Sequence, residues 1–283
     1  LRRKDKVLKV TLDVGTNYGT YGPKYPADCA KSTRILEDLL AYLETTQRDD
    51  GSWGSPPHDT FAPLALLASG NPKHADLVRK NAKFHARTTK AKDRSWLINW
   101  RYMAAAIVMS EFYLATGEEW VLPELQEIYD FLISSQYVDM SQIDEKSRKT
   151  HPGAVPKNKM GAHGGWGHNP GFEGYGPISM LTGQGALAFA MMKHCGIKVD
   201  RDRHDKAYDF LVRASGRNGY VWYADQAAGQ NNWADMGRTG AAGIANAISP
   251  YNDDKYLERA LAHAKVIGRH PESFPDTHGS PVM

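Results

Sequence analysis

The sequence predicts an all-α protein in which paired helices form a partial ring, an α/α toroid. Two observations predict it. Helices with a single apolar stripe alternate with helices that are apolar on every side, and three of the striped helices end in a similar residue pattern. A helix that is apolar all round must be covered on every side, whereas a striped helix can face water. The alternation therefore predicts an inner ring of helices wrapped by an outer ring, and an open solenoid of helix pairs is the alternative.

Residues 1–25 are predicted to form an arm that precedes the helical region. Leu8, Val10, Leu12 and Val14 alternate with polar neighbours, a spacing typical of a half-buried strand. A single strand is not stable alone, so we expect this arm to pack on the helices or to be the tail of an upstream domain that is missing from the chain. Residues 280–283 begin another helix, which predicts that the ring is truncated at its C-terminal end.

Nine helices of alternating type are predicted within residues 26–283, the toroid. The striped helices cover residues 35–43, 74–87, 123–135, 204–214 and 254–267, and the fully apolar helices cover 61–68, 96–115, 178–194 and 239–248. Small residues such as Gly183 and Gly240 would let the inner helices approach closely. Residues 137–162 are predicted to be a basic insertion loop, either solvated or serving as a lid or a partner-binding segment.

Composition and charge exclude several classes of protein. The net charge is only +3, and no nucleic-acid-binding signature accompanies it, so no nucleic-acid partner is expected. No apolar run is long enough to cross a bilayer, so we expect no transmembrane segment. The two cysteines, Cys29 and Cys195, predict neither a disulfide framework nor a zinc cluster. The compartment is left open by the sequence.

Three striped helices end in an aromatic–Leu pair, a polar residue four positions later, and then a glycine and a tryptophan. The three copies read Tyr42-Leu43-x-x-x-Gln47 with Gly51-x-Trp53, Phe131-Leu132-x-x-x-Gln136 with Gly164-x-Trp166 after the insertion, and Phe210-Leu211-x-x-x-Ser215 with Gly219 and Trp222. The third copy departs from the others, because Ser215 replaces Gln and one extra residue precedes its Trp. A composite pattern repeated in this way indicates repeated structural units.

This pattern resembles the Gln-Trp repeat of squalene and hopene cyclases, which share the α/α toroid with the protein prenyltransferases. The resemblance covers the helical region from about residue 30 onward and implies the fold rather than the activity. In that family the Gln side chain bonds the backbone at an inner helix end while the Trp packs beside it. The same role is therefore implied for Gln47, Trp53, Gln136 and Trp166. The chain is also similar to an uncharacterised bacterial group of toroids that carry a PDZ-like domain upstream.

The activities of the related toroids are disfavoured by the residues present. Terpene cyclisation in that family needs an Asp-x-Asp-Asp acid, and the chain has no such motif. Protein prenylation needs a zinc site with Asp, Cys and His ligands, and neither Cys29 nor Cys195 has the matching context. A thioester needs a Cys and a Gln close together, and we find no such pair. No cofactor and no metal are therefore predicted.

Loops leading from outer to inner helices would gather at one rim of the ring, around the mouth of a central cavity. In this chain these loops are rich in His, Asp, Trp and Tyr, a composition typical of sites for polar, ring-containing ligands such as sugars. The candidate catalytic residues are His58, Asp59, His163, His168, Asp225, Asp235, Arg238 and His278. The candidate ligand-binding residues are Trp53, Trp166, Tyr175, Trp222 and Trp233.

Structural roles are open for each of these residues. Asp59 and Asp235 are also suited to cap helix N-termini. His163 and His168 could form hydrogen bonds within a glycine-rich loop, and their spacing is not a metal-ligand motif. The tryptophans could simply pack in the interior.

Two functions remain open at this stage. One is a toroid of unknown activity that serves as a scaffold in a multidomain protein and binds a partner, a small molecule or a carbohydrate in its central cavity. The absence of the known toroid catalytic motifs favours it. The other is an enzyme that acts on a carbohydrate or another polar polymer at the rim, with one of the histidines as the base and Asp225 or Asp235 as the acid.

Overall fold

The described part of the chain is helical. A computed structural model of the protein describes residues 30–90, 97–158, 161–224, 236–251 and 253–270, together with the backbone of residues 2–3 and 6–7. In these ranges the α-helices are α1 (Ala30–Thr46), α2 (Pro56–Ala68), α3 (Ala75–Thr89), α4 (Ile98–Thr116), α5 (Val121–Ser135), α6 (Glu145–Thr150), α7 (Ser179–His194), α8 (Arg201–Arg213), α9 (Met236–Ala247) and α10 (Asp254–Arg269). The predicted all-α fold is confirmed, and each predicted helix has its counterpart.

The helices form two layers, as the alternation of helix types predicts. The helices α2, α4, α7 and α9 make one row, because α4 contacts both α2 and α7, and α7 contacts α9. On the other side of this row α3 and α5 pack on α4, α8 packs on α7, and α10 packs on α9. The inner row therefore consists of the helices that are apolar all round, and the closed ring stays a prediction.

Small residues set the close approach within the inner row. A Cβ atom added at Gly183 of α7 would lie 2.9 Å from Ala241 Cβ of α9, and one added at Gly185 would lie 2.7 Å from the Trp166 ring. Separations this short are not tolerated between carbon atoms, so only glycine fits at these positions. Because Gly185 has no side chain, the indole of Trp166 packs directly against α7 and is fully buried.

The repeated Gln–Gly–Trp turns connect successive outer helices. Gln47 Nε2 donates to Leu77 O in the first turn of α3 at 2.8 Å, and Gln136 Nε2 donates to Arg203 O in the first turn of α8 at 3.0 Å. The indole N–H of Trp53 donates to Leu43 O at 3.0 Å, at the end of the preceding outer helix. Trp166 makes the equivalent bond to Leu132 O. The expectation that the Gln side chain bonds an inner helix is therefore wrong, because its acceptor belongs to the next outer helix.

In the third turn a different side chain donates to the carbonyl of the turn glycine. Ser215 is too short to cross to α10, and its hydroxyl donates to Leu211 O within its own helix at 2.6 Å. His263 of α10 donates instead from Nδ1 to Gly219 O at 2.6 Å. Burial lowers the pKa of His263, and the neutral ring with its proton on Nδ1 matches a carbonyl acceptor. Gly219 itself has a φ of +89°, and a Cβ there would lie 2.7 Å from Ala262 O.

The first outer helix, α1, differs from the predicted amphipathic pattern. Leu40 and Leu43 pack against the core, but Ile35, Leu36 and Leu39 expose about half of their surface. The apolar residues of α1 thus point in two directions, and only one of them is covered by the described part of the chain. Near the N-terminus β1 (Arg2–Arg3) pairs antiparallel with β2 (Lys6–Val7). The strand predicted over residues 8–14 and the helix start predicted at 280–283 lie outside the described residues.

The basic insertion is anchored to the core at its first half. Tyr137 is fully buried, its ring meets that of Phe172 at 5.3 Å between centroids, and its backbone N–H donates to Gly165 O at 2.9 Å. Ile143 is also buried and forms an isolated bridge with Phe172. The short helix α6 follows, with Asp144 at its N-cap accepting from Ser147 N. The division of the chain at residues 25 and 26 stays a prediction.

We expect Gln136→Met to lower the free energy of unfolding by about 2–4 kcal/mol, because it leaves the buried carbonyl of Gly164 and the partly buried carbonyl of Arg203 without their side-chain donor. Urea unfolding followed by circular dichroism measures this change. The matched control is Gln126→Met on the exposed face of the same helix, which should shift stability by less than about 0.5 kcal/mol. Equal losses in the two variants would contradict the role of the Gln136 bond.

Candidate functional site

The four inner helices line one cavity of about 490 Å³. Every inner helix contributes to its wall, and α10 adds a single side chain at one edge. The lining residues are Pro56, Pro57, Thr60, Phe61 and Leu64 of α2, Trp100, Ile107 and Glu111 of α4, Gln184, Leu187 and Met191 of α7, Met236, Gly237, Gly240, Ala241 and Ile244 of α9, Ile248 just after it, and Ile267 of α10. A cavity of this size and composition is typical of small-molecule sites.

Few polar groups reach this cavity. The Thr60 hydroxyl already donates to Pro56 O at 2.7 Å. The indole N–H of Trp100 donates to His168, so Gln184 and Glu111 are the remaining side chains with hydrogen-bonding heads among the described lining residues. The surrounding apolar wall partly desolvates the Glu111 carboxyl and raises its pKa, although the residue as a whole is exposed. Trp100 and Glu111 are eleven residues apart on α4, so the cavity extends about 16 Å along the helix axis.

A chain of hydrogen-bonded aromatic side chains starts at the cavity wall. Trp100 Nε1 lies 2.8 Å from His168 Nδ1, His168 Nε2 lies 2.6 Å from Tyr175 Oη, and Tyr223 Oη lies 3.1 Å from Tyr175 Oη. The rings of Trp100 and His168 are nearly parallel, with an interplanar angle of 19°. We call these four residues, Trp100, His168, Tyr175 and Tyr223, the rim chain. It joins the N-terminal end of α4 to the segment before α7 and to the segment after α8.

The Trp100 indole determines the tautomer of His168. An indole N–H can only donate, so His168 Nδ1 must be the acceptor and the ring proton must lie on Nε2. Nε2–H then donates to Tyr175 Oη. Burial lowers the pKa of His168, and the bond from Trp100 acts in the same direction because a protonated ring would have no lone pair to accept it. His168 is therefore neutral and oriented at neutral pH.

Arg238 extends the rim chain at its other end. Its guanidinium lies 5.6 Å from the Tyr223 ring centroid, within the range of a cation–π contact. It also donates from Nε to Val221 O at 3.3 Å and from Nη2 to Tyr220 Oη at 3.2 Å. Arg238 is almost fully buried, with 4% of its surface exposed. Its charge therefore acts on the rim chain with little screening by water. Of the predicted rim residues, the structure brings together His168, Tyr175 and Arg238.

The other predicted residues in the described ranges lie apart from this group. His58 is exposed on α2. Asp59 is buried in the first turn, where its carboxylate accepts from Trp53 N, and burial raises its pKa. His163 is half-buried beside Val138 and Arg213, and burial lowers its pKa.

The predicted tryptophans lie mostly in packing positions. Trp53 and Trp166 belong to the turns described above, and Trp222 stacks edge-on against Tyr220 at 5.0 Å between centroids. Asp225, Trp233, Asp235 and His278 lie outside the described residues.

Three important residues were not among the sequence candidates. Trp100 and Glu111 lie inside a helix that the sequence marks only as apolar, and Tyr223 follows Trp222 in a loop rich in aromatic residues. A signal for Glu111 was available, because it is the one acidic residue within the apolar segment 97–115. A charge at such a position is expensive to bury and is therefore informative.

A second polar array lies at the opposite end of α2, away from the cavity. His74 is buried, with Nε2 2.7 Å from Glu44 Oε1 and Nδ1 2.7 Å from Ser69 Oγ. This order of acid, imidazole and hydroxyl resembles that of a nucleophilic triad. The Ser69 hydroxyl, however, also lies 2.6 Å from Leu66 O within its own helix, and none of the three residues lines the cavity. The array joins α1 to the end of α2.

Metal and membrane signatures are absent from the described ranges. Within them no group of three or more His, Cys, Asp or Glu side chains is arranged to hold a metal ion. The helices of the described residues also include none whose length and hydropathy would suit a membrane span.

We expect Trp100→Phe to raise the pKa of His168, because Nδ1 is then free to take up a proton without losing a donor. Titration of the imidazole resonances by NMR measures this pKa. Trp120→Phe serves as the control, since Trp120 bonds to Glu118 at a distance from the rim chain. A His168 pKa that is the same in both variants would contradict the tautomer assignment.

Comparison with known proteins places the chain in a family. Its overall structure is similar to that of the Lin0763 protein from Listeria innocua, with a TM-score of 0.58 and 12% sequence identity over 84% of this chain and 70% of that one. At this identity the likeness concerns the fold alone. Among curated proteins none matches the chain. The domain of unknown function DUF6288 matches residues 32–272, which is most of the sequence. The chain therefore belongs to the DUF6288 family.

Proposed function

We propose that this chain is a ligand-binding toroid whose concave inner face holds an apolar molecule. The observation that carries the proposal is the cavity of about 490 Å³, to which all four inner helices contribute. A row of helices that shares one concave space gives a ligand contacts on several sides, and burial of its apolar surface drives binding. Binding of such a ligand would also suit a scaffold in a larger protein, with the outer helices available to partners.

The resemblance to the squalene cyclase and prenyltransferase superfamily supports this proposal at the level of architecture. Inner and outer helices alternate, and the Gln–Gly–Trp turns tie one outer helix to the next. Continued around a circle, this arrangement gives a ring with a central cavity. The cyclase and prenyltransferase activities are not proposed, because the chain lacks their acid and zinc motifs.

Filling the cavity tests the proposal. A Cβ atom added at Gly240 meets only Ile267 Cδ1, at 4.0 Å, so a larger side chain has room to extend into the cavity. We expect Gly240→Leu to weaken binding of the neutral apolar dye Nile red by about tenfold, because the leucine occupies the space of the ligand. A fluorescence titration measures this dissociation constant.

Gly240→Ala is the matched control. It makes the same change of backbone freedom in α9 but adds one methyl group, so dye binding should stay close to that of the wild type. Both variants should unfold at or above the wild-type temperature, because a glycine inside a helix costs about 1 kcal/mol relative to alanine. No saturable dye binding by the wild type, or equal binding by the two variants, would contradict the proposal.

A second candidate function, hydrolysis of a carbohydrate or another polar polymer, is favoured by the rim chain. His168 is neutral and oriented by Trp100, and Tyr175 keeps 41% of its surface exposed while bonded to His168 and Tyr223. A polar group held in one orientation at the mouth of a cavity is suited to general acid–base work. Aromatic surfaces beside it would stack on sugar rings.

We expect His168→Ala to lower polysaccharide hydrolysis by about a hundredfold if this second function operates, because Tyr175 then loses the hydrogen bond that orients its hydroxyl. The release of reducing ends from a panel of polysaccharides measures the rate. His163→Ala is the control, since His163 lies apart from the rim chain. Equal rates in the two variants, or no hydrolysis by the wild type, would contradict the second function.

A further inference from the structure

Among the described residues that line the apolar cavity, Glu111 is the one that is charged. It lies near the C-terminal end of α4, on the wall shared with Met191 of α7. The opposite end of the cavity is formed by Trp100 and Gln184. A ligand in this cavity therefore meets an acidic end, an apolar middle and an aromatic end.

The carboxyl of Glu111 has no partner within the described part of the chain. No hydrogen bond or ion pair reaches it there, and burial is the cause of its raised pKa. In the described ranges the other acidic residues with an altered pKa accept a hydrogen bond or form a salt bridge, as Glu44 does with Lys73 and Glu118 with Arg79. Glu111 is exposed at the cavity wall, so water solvates its carboxylate when the cavity is empty, and a cationic group of a ligand could take the place of that water.

We propose that the ligand is an amphiphile with an apolar body and a cationic amine head, whose ammonium group binds Glu111 while its body extends toward Trp100. This inference rests on the proposed function of the cavity. An ammonium group donates up to three charge-assisted hydrogen bonds, which a carboxylate can accept. An anionic head would be repelled, and a neutral hydroxyl would leave the negative charge uncompensated.

The length of the cavity agrees with this orientation. The distance of about 16 Å along α4 from Glu111 to Trp100 accommodates an extended alkyl chain. Between these ends the wall consists of aliphatic side chains such as Ile107, Leu187 and Ile244. Each methylene of the ligand that is placed there is removed from water. The alkyl chain of the ligand therefore contributes affinity, and its ammonium head contributes selectivity.

Three probes with the same alkyl chain test the proposal: dodecylammonium, dodecanol and dodecanoate, each below the concentration at which it forms micelles. Isothermal titration at neutral pH measures their dissociation constants for the full chain. We expect the ammonium probe to bind about tenfold more tightly than the alcohol, and the carboxylate to bind most weakly. In Glu111→Gln the ammonium and the alcohol should bind equally, and the alcohol should bind as it does to the wild type.

Glu119→Gln is the matched control, since Glu119 is exposed beyond the end of α4 and does not line the cavity. It should keep the preference for the ammonium probe. Equal binding of ammonium and alcohol by the wild type would overturn the assignment of the amine head but leave the apolar site intact. Failure of all three probes to bind, together with no effect of Gly240→Leu on Nile red, would instead overturn the proposed function itself.

Discussion

The hydrogen bond from a turn to the next outer helix is the interaction on which the arrangement of the helix pairs depends. Gln47 and Gln136 each cross from the end of one outer helix to a carbonyl in the first turn of another. The adjacent glycine must have a positive φ and no side chain, because a Cβ at Gly51 or Gly164 would collide with the backbone of that helix. These partly buried bonds therefore set both the spacing and the direction of successive outer helices.

The cavity lies between the four inner helices. The inner helices approach closely where glycine meets alanine, as Gly183 does Ala241, and their other faces converge on one concave space. The bond between Trp100 and His168 at one end of this space is partly buried, in a medium that is less polar than water, where a hydrogen bond has a larger effect.

The third turn shows that the contact is preserved even where the sequence pattern is not. Ser215 lacks the reach of Gln, and His263 supplies the donor from the opposite helix. In the first turn Asn81 of α3 adds a similar bond to Gly51 O at 2.9 Å, next to the one from Gln47. The constraint is thus a satisfied carbonyl at the glycine, and different side chains satisfy it. A pattern search that demands Gln detects two of the three turns.

The sequence by itself determined the helices, their two types and their order, because each depends on the spacing of apolar residues within about twenty positions. It also determined the positions of the turns, since glycine and the aromatic residues mark them. The partners of those turns were decided by the tertiary structure, which is why the bond expected to an inner helix goes to an outer one.

The site was decided almost entirely by tertiary structure. Trp100 and His168 are 68 residues apart, and nothing local in either segment indicates that one fixes the proton of the other. His58 and His163 also lie in segments rich in polar and aromatic residues, as His168 does, but both are away from the rim chain. Composition shows which loops carry polar and aromatic groups, whereas distance and burial decide which of those groups meet, because both arise from contacts between segments that are remote along the chain.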